Sequence, residues 1–90
     1  YFSDNLYASV KYAAPSKNGT RFALMTLVGL GRAKEFTKIT PNLEKAPEGF
    51  DSCLGLAQTS QKSSDFLNNE YVVYDASQYK NQYLVEFKIL

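Results

Sequence analysis

Ninety residues allow one small domain with a modest core. Ten basic and nine acidic residues give a net charge of +1, which provides no electrostatic footprint for nucleic acid or an anionic membrane. With no histidine and one cysteine, the chain by itself excludes a Ser-His-Asp or Cys-His site and an internal disulfide, and argues against a zinc centre.

No apolar run approaches a membrane span, and no segment resembles a signal peptide. The chain begins at Tyr1 rather than methionine, so the expectation is a piece of something longer. A single cysteine fits a reducing compartment, and hence an intracellular location, nuclear or cytoplasmic.

Tyr1-Phe2 reads as the end of a strand. Ser3 or Asp4 can cap a helix over residues 5–13, with Leu6, Val10 and Ala13 on its apolar face. Pro15 and the run Ser16-Lys17-Asn18-Gly19-Thr20 predict a turn. Residues 21–29 are apolar almost throughout and predict a strand covered on both faces. A less regular strand follows over 31–36. Residues 37–51 contain Pro41, Pro47 and Gly49 and predict a long surface connection.

Residues 52–56 predict a short strand, and the polar stretch 58–68 an exposed loop. Residues 71–74 predict a buried strand headed by Glu70, and 76–81 a turn. In 82–90, Tyr83, Val85, Phe87 and Ile89 alternate with Gln82, Glu86 and Lys88, the signature of a half-buried strand. The sum is an α+β unit: a mainly antiparallel β-sheet of about five strands with one short helix.

Few residues here carry chemistry. Gly29-Leu30-Gly31-Arg32 lacks the third glycine and the following helix of a phosphate loop; it reads as a bulge or strand end. Cys53 reads as a small buried apolar residue, since no histidine in the chain could activate it as a nucleophile. Glu70 is a carboxylate at the head of an apolar run, either an ordinary strand-end acid or a functional one. Taken singly, Tyr1, Tyr7 and Tyr12 are amphipathic aromatics and Ser9 an ordinary helix residue.

Taken together, their order is specific. Tyr1-Phe2-Ser3-Asp4, then Ser9 and Tyr12, then the distant Asn69-Glu70-Tyr71-Val72-Val73-Tyr74-Asp75 resemble the C-terminal half of the catalytic domain of the poly(ADP-ribose) polymerase family. Residues 52–59 (SCLGLAQT) resemble that family's strand before the acceptor-side loop. The phrase Ala46-Pro47-Glu48-Gly49-Phe50-Asp51-Ser52 and the short connection to Glu70 resemble its vault-associated branch most.

The resemblance implies a fold that is part of the ADP-ribosyltransferase catalytic fold, and NAD as substrate, with no metal. Tyr1 and Glu70 would be the tyrosine and glutamate of a His-Tyr-Glu triad. Tyr1 and Tyr12 would sandwich the nicotinamide ring, and the Ser9 hydroxyl would bond its carboxamide. Glu70 would bond a hydroxyl of the nicotinamide-side ribose. The implied partners are NAD, nicotinamide-like inhibitors and protein acceptors of ADP-ribose, with neither nucleic acid nor membrane.

This sequence departs from the family pattern in three ways. The triad histidine is absent and would have to precede Tyr1 or lie on a separate piece, so these residues alone should bind NAD poorly. Ala8 stands where chain-building members carry a lysine. The link from Gly55 to Glu70 is short. The last two favour transfer of single or few ADP-ribose units over polymer, whereas a glutamate at position 70 is the type associated with polymer. A catalytically inactive relative acting as an interaction module is the alternative reading. A chance likeness in a β-rich binding domain is another.

Overall fold

The computed structural model describes residues 1–39 and 44–90. The elements in chain order are β1 (Phe2–Ser3), α1 (Leu6–Val10), β2 (Arg21–Val28), β3 (Ala33–Phe36), β4 (Ser52–Gly55), β5 (Glu70–Val73), a short 3-10 helix (Ala76–Gln78) and β6 (Tyr79–Phe87). They form a four-stranded sheet in the order β1-β5-β4-β3 and a two-stranded sheet of β2 with β6. The pairs are antiparallel except β3 with β4, which is parallel. The α+β class expected from the sequence is what is observed.

The helix is shorter than predicted. Its α-helical part ends at Val10, and Tyr12 and Ala13 continue it through i→i−3 bonds to the carbonyls of Ser9 (3.1 Å) and Val10 (3.0 Å). Its N-cap is Asn5, whose side chain accepts from the Tyr7 amide at 2.9 Å, and not Ser3 or Asp4. Leu6, expected on the apolar face, is exposed.

β2 differs from expectation in its environment. Its run was expected to be covered on both faces, yet Leu24, Met25 and Leu27 are exposed: among the described residues β2 pairs only with β6, and no second layer covers these side chains. β6 starts at Tyr79, three residues earlier than predicted. A register shift between Met25 and Thr26 absorbs the extra residue, and burial alternates only from Leu84 to Phe87; Tyr83 and Ile89, expected on the half-buried face, are exposed. The 37–51 connection ends in a turn in which the Phe50 amide donates to the Pro47 carbonyl at 2.9 Å. Gly49 supplies the positive φ of +83° that this turn needs at its third position. Residues 40–43 of that connection, Pro41 included, lie outside the described residues.

The core sits under β4. Ser52 is fully buried and donates to the Leu30 carbonyl at 2.7 Å. Cys53 is 5% exposed and lies 3.4 Å from the Tyr74 hydroxyl, which donates to its sulfur. Burial, and after it this thiol contact, pushes the Tyr74 phenol up to about 12. An unfolded tyrosine titrates near about 10. Above that pH the unfolded chain releases a proton that the fold retains. Tyr74 therefore contributes its full stability below about pH 10 and loses it as the pH climbs toward 12. Thermal midpoints taken from pH 8 to 12 should fall more steeply for the wild type than for Tyr74→Phe; parallel curves would contradict this.

Candidate active site

Side chains alternate across a sheet, so register decides which residues share a face. Ser3 pairs with Glu70, and Glu70 pairs with Gly55 on its other side. These three residues form one row across β1, β5 and β4. Tyr1 is two residues before Ser3 and shares its face. Continuing the antiparallel register one step sets Tyr1 beside Val72, diagonal to Glu70. Such diagonal neighbours are about 7–8 Å apart. The expected triad tyrosine thus immediately precedes β1, the strand beside the one that Glu70 heads. Tyr74 belongs to that face as well.

This face is open. Glu70 is exposed, although the sequence suggested a buried strand; the rest of β5 is half-buried. Tyr1 is 92% exposed. Neither Glu70 nor Ser9 makes a side-chain hydrogen bond among the described residues. The carboxylate oxygens and the serine hydroxyl are therefore available to a ligand. Ser9 does not bond back to a helix carbonyl, the ordinary role it could have played. Ser9 and Tyr12 lie on one turn, joined by the Tyr12 amide bond to the Ser9 carbonyl. Tyr12 is exposed and stands by the Lys11 ammonium, 5.4 Å from its ring centre.

The anchors of this arrangement lie on residues to which sequence reading assigned a capping or motif place but no such partners. Asn5, besides capping α1, donates to Asn68 at 3.3 Å. Asp4 accepts from the Tyr71 hydroxyl at 2.7 Å and from Asn69 at 3.4 Å. At the far end of the helix, Arg21 donates to the carbonyls of Ala13 (2.6 Å) and Val10 (3.4 Å), where a cation complements the helix terminus. The turn carrying Ser9 and Tyr12 is thus tied at one end to the segment around Glu70 and at the other to β2. Asx-type residues before a helix and an arginine opening the next strand were the available signals, but which partners they take is a tertiary matter.

The loop over 58–68 is likewise more constrained than its polar composition implied. The Ser64 hydroxyl donates to the Leu56 and Thr37 carbonyls, and the Asp65 amide donates to Thr37 at 2.7 Å. Phe66 bridges to Ala57 and lies over Gly55, in the row that holds Glu70. Gly29 and Gly31 serve as a strand end and a turn between β2 and β3, with no helix following, which leaves no phosphate loop.

No protein-family model matches the chain. Along nearly its whole length, however, it is similar to curated proteins. It is 39% identical over 90 residues to the human protein mono-ADP-ribosyltransferase PARP4, covering 99% of this chain and 5% of the relative. It is 40% identical over 88 residues to the mouse protein of the same name, covering 97% of this chain and 4% of the relative. The chain belongs to the poly(ADP-ribose) polymerase family. It spans about one-twentieth of the length of these relatives. Both relatives are the vault-associated polymerase toward which the 46–52 phrase pointed.

Proposed function

We propose that this chain is the C-terminal part of an ADP-ribosyltransferase catalytic domain, and that its open face receives the nicotinamide end of NAD. The observation that carries the reading is the Ser3–Glu70 register, which sets the strand that Tyr1 precedes beside the strand that Glu70 heads. Tyr12 and Tyr1 stack on the nicotinamide ring and Ser9 holds its carboxamide, as suits a flat heteroaromatic group. The histidine of the triad is supplied by polypeptide outside these 90 residues.

The chemistry follows from the leaving group. The bond between the ribose anomeric carbon and the pyridinium nitrogen breaks, and its electron pair neutralises the nitrogen. Nicotinamide departs without needing a proton. The sugar gains oxocarbenium character, as in glycoside hydrolysis, and a fixed carboxylate beside it lowers the barrier. An acceptor side chain on a protein then bonds to the anomeric carbon, and Glu70 takes up its proton.

The product is a single ADP-ribose unit or a short run. The relatives' names as mono-ADP-ribosyltransferases support this, as do Ala8 and the short, anchored loop before Glu70. Incubating the full-length protein with labelled NAD and resolving it on a gel tests the reading. A discrete labelled band is expected. A smear would mean polymer, and no label would defeat the transferase assignment.

Tyr12→Ala should weaken binding of a benzamide, a nicotinamide mimic, by about 1–3 kcal/mol, the usual worth of one stacking aromatic. Calorimetric titration checks this, and unchanged affinity would remove Tyr12 from the site.

A further inference from the structure

Asp4 is not among the residues expected to touch NAD, yet it joins the two parts of the site. It lies between β1, which follows Tyr1, and α1, which carries Ser9. Its Oδ2 accepts from the Tyr71 hydroxyl at 2.7 Å and from the Asn69 amide at 3.4 Å. Asn69 and Tyr71 are the two sequence neighbours of Glu70. By strand alternation they share the face opposite to the one from which Glu70 emerges. Holding both neighbours from one side fixes the rotation of the strand about its own axis. That rotation sets the direction in which Glu70 points on the other side.

We propose that Asp4 is a positioning residue that aims the Glu70 carboxylate by gripping Asn69 and Tyr71 from behind the strand. This rests on the reading of Glu70 as the acid of an NAD site. The grip is reinforced from the β4 side, where the Ala57 amide donates to Asn69 Oδ1 at 2.8 Å. The Tyr71 phenol is raised, first of all by its bond to Asp4, as a hydroxyl donating to a carboxylate should be. Backbone pairing of β5 with β1 and β4 does not depend on Asp4. Its loss should therefore loosen the aim of Glu70 while leaving the sheet in place. Electrostatic help to a transition state needs its group held within about 0.5 Å, so a loose carboxylate costs turnover. Binding of the nicotinamide moiety, made by Tyr1, Ser9 and Tyr12, should be spared, since the Asp4 carboxylate bonds only Asn69 and Tyr71 among the described residues.

The test is steady-state NAD turnover by the full-length protein, with benzamide affinity measured alongside. Asp4→Ala should lower kcat by about tenfold, within the range for losing second-sphere support, and leave KM and benzamide affinity within about twofold. Tyr71→Phe, which deletes one oxygen and spares the fold, should lower kcat in the same manner. The double variant should be no worse than Asp4→Ala, since both act through one bond. Asp4→Asn, which keeps an acceptor oxygen, should restore most of the turnover.

Wild-type kcat in both Asp4→Ala and Tyr71→Phe overturns the proposal. So does a fall in kcat matched by an equal fall in benzamide affinity, which would signal general damage. If Asp4→Ala does not fold, Tyr71→Phe decides alone. Glu70→Gln separates the two levels. If it is inactive while Asp4→Ala and Tyr71→Phe are normal, only the positioning role fails. If it turns over normally, or if the wild type does not turn over, the NAD-site reading fails and the positioning role with it.

Discussion

Glu70→Gln in the full-length protein should lose transfer by about 10²–10³-fold, the usual cost of deleting one preorganised electrostatic contact to a transition state. The fold should survive. Glu70 is exposed at the head of β5 and makes no side-chain hydrogen bond among the described residues, so its amide isostere leaves no buried group unpaired. Benzamide affinity should persist, because the stacking tyrosine and Ser9 are untouched. What disappears is the negative charge next to the ribose, which is needed only as positive charge develops there. Initial rates of ADP-ribose incorporation from labelled NAD measure the effect. Wild-type-like turnover would take Glu70 out of the mechanism.

The second large effect concerns folding. Gly55 is buried and pairs directly with Glu70. A Cβ at position 55 would lie 2.7–2.9 Å from three carbons of the Phe66 ring. The backbone of this segment is held, bridged to Ala57 and with the Phe66 carbonyl accepting from Gln58 at 2.8 Å, so the ring can give way only by turning about its own side-chain bonds. Gly55→Val should therefore cost about 1–3 kcal/mol by overpacking, a large fraction of the stability of a small domain. It should also displace the loop that leads into Glu70. Denaturant unfolding and NAD turnover should both register the change, with Gly55→Ala intermediate. A Val variant with unchanged midpoint and turnover would show that Phe66 yields more freely than its anchors imply.

These two residues illustrate how much of the molecule was legible beforehand. Glu70 stood out because an acid at the head of Tyr71-Val72-Val73 breaks an apolar run, and the family motif then gave it a partner in Tyr1. Gly55 gave no such signal; its importance comes from Phe66, eleven residues away, folding back over it. The same holds for the helix cap. Ser3, Asp4 and Asn5 are all capable caps, and local chemistry cannot choose among them. The choice falls to Asn5 because the Asp4 carboxylate is taken by Tyr71 and Asn69 across the sheet.

The strands show a similar division. β2 and β5 were visible as apolar runs, because burial pattern is local information. That no layer among the described residues covers Leu24, Met25 and Leu27 is a matter of tertiary arrangement and leaves no trace in the run itself. The early start of β6 was hidden because the bulge opposite Met25 and Thr26 breaks the period of two that reveals a strand. The polar loop before Glu70 was read as exposed, and most of it is, yet Ser64 and Asp65 also bond the backbone of Thr37 and Leu56. Composition reports that such groups are polar, not whether water or the protein satisfies them.

The most direct measurement is a crystal structure of the full-length protein, or of its complete catalytic region, with an NAD analogue whose nicotinamide-side ribose oxygen is replaced by carbon. The nicotinamide ring is predicted to lie between Tyr1 and Tyr12, with its carboxamide on the Ser9 hydroxyl and a ribose hydroxyl within hydrogen-bond distance of Glu70. An analogue bound elsewhere, or bound here with Glu70 turned away from the ribose, would contradict the assignment of this face as the transferase site.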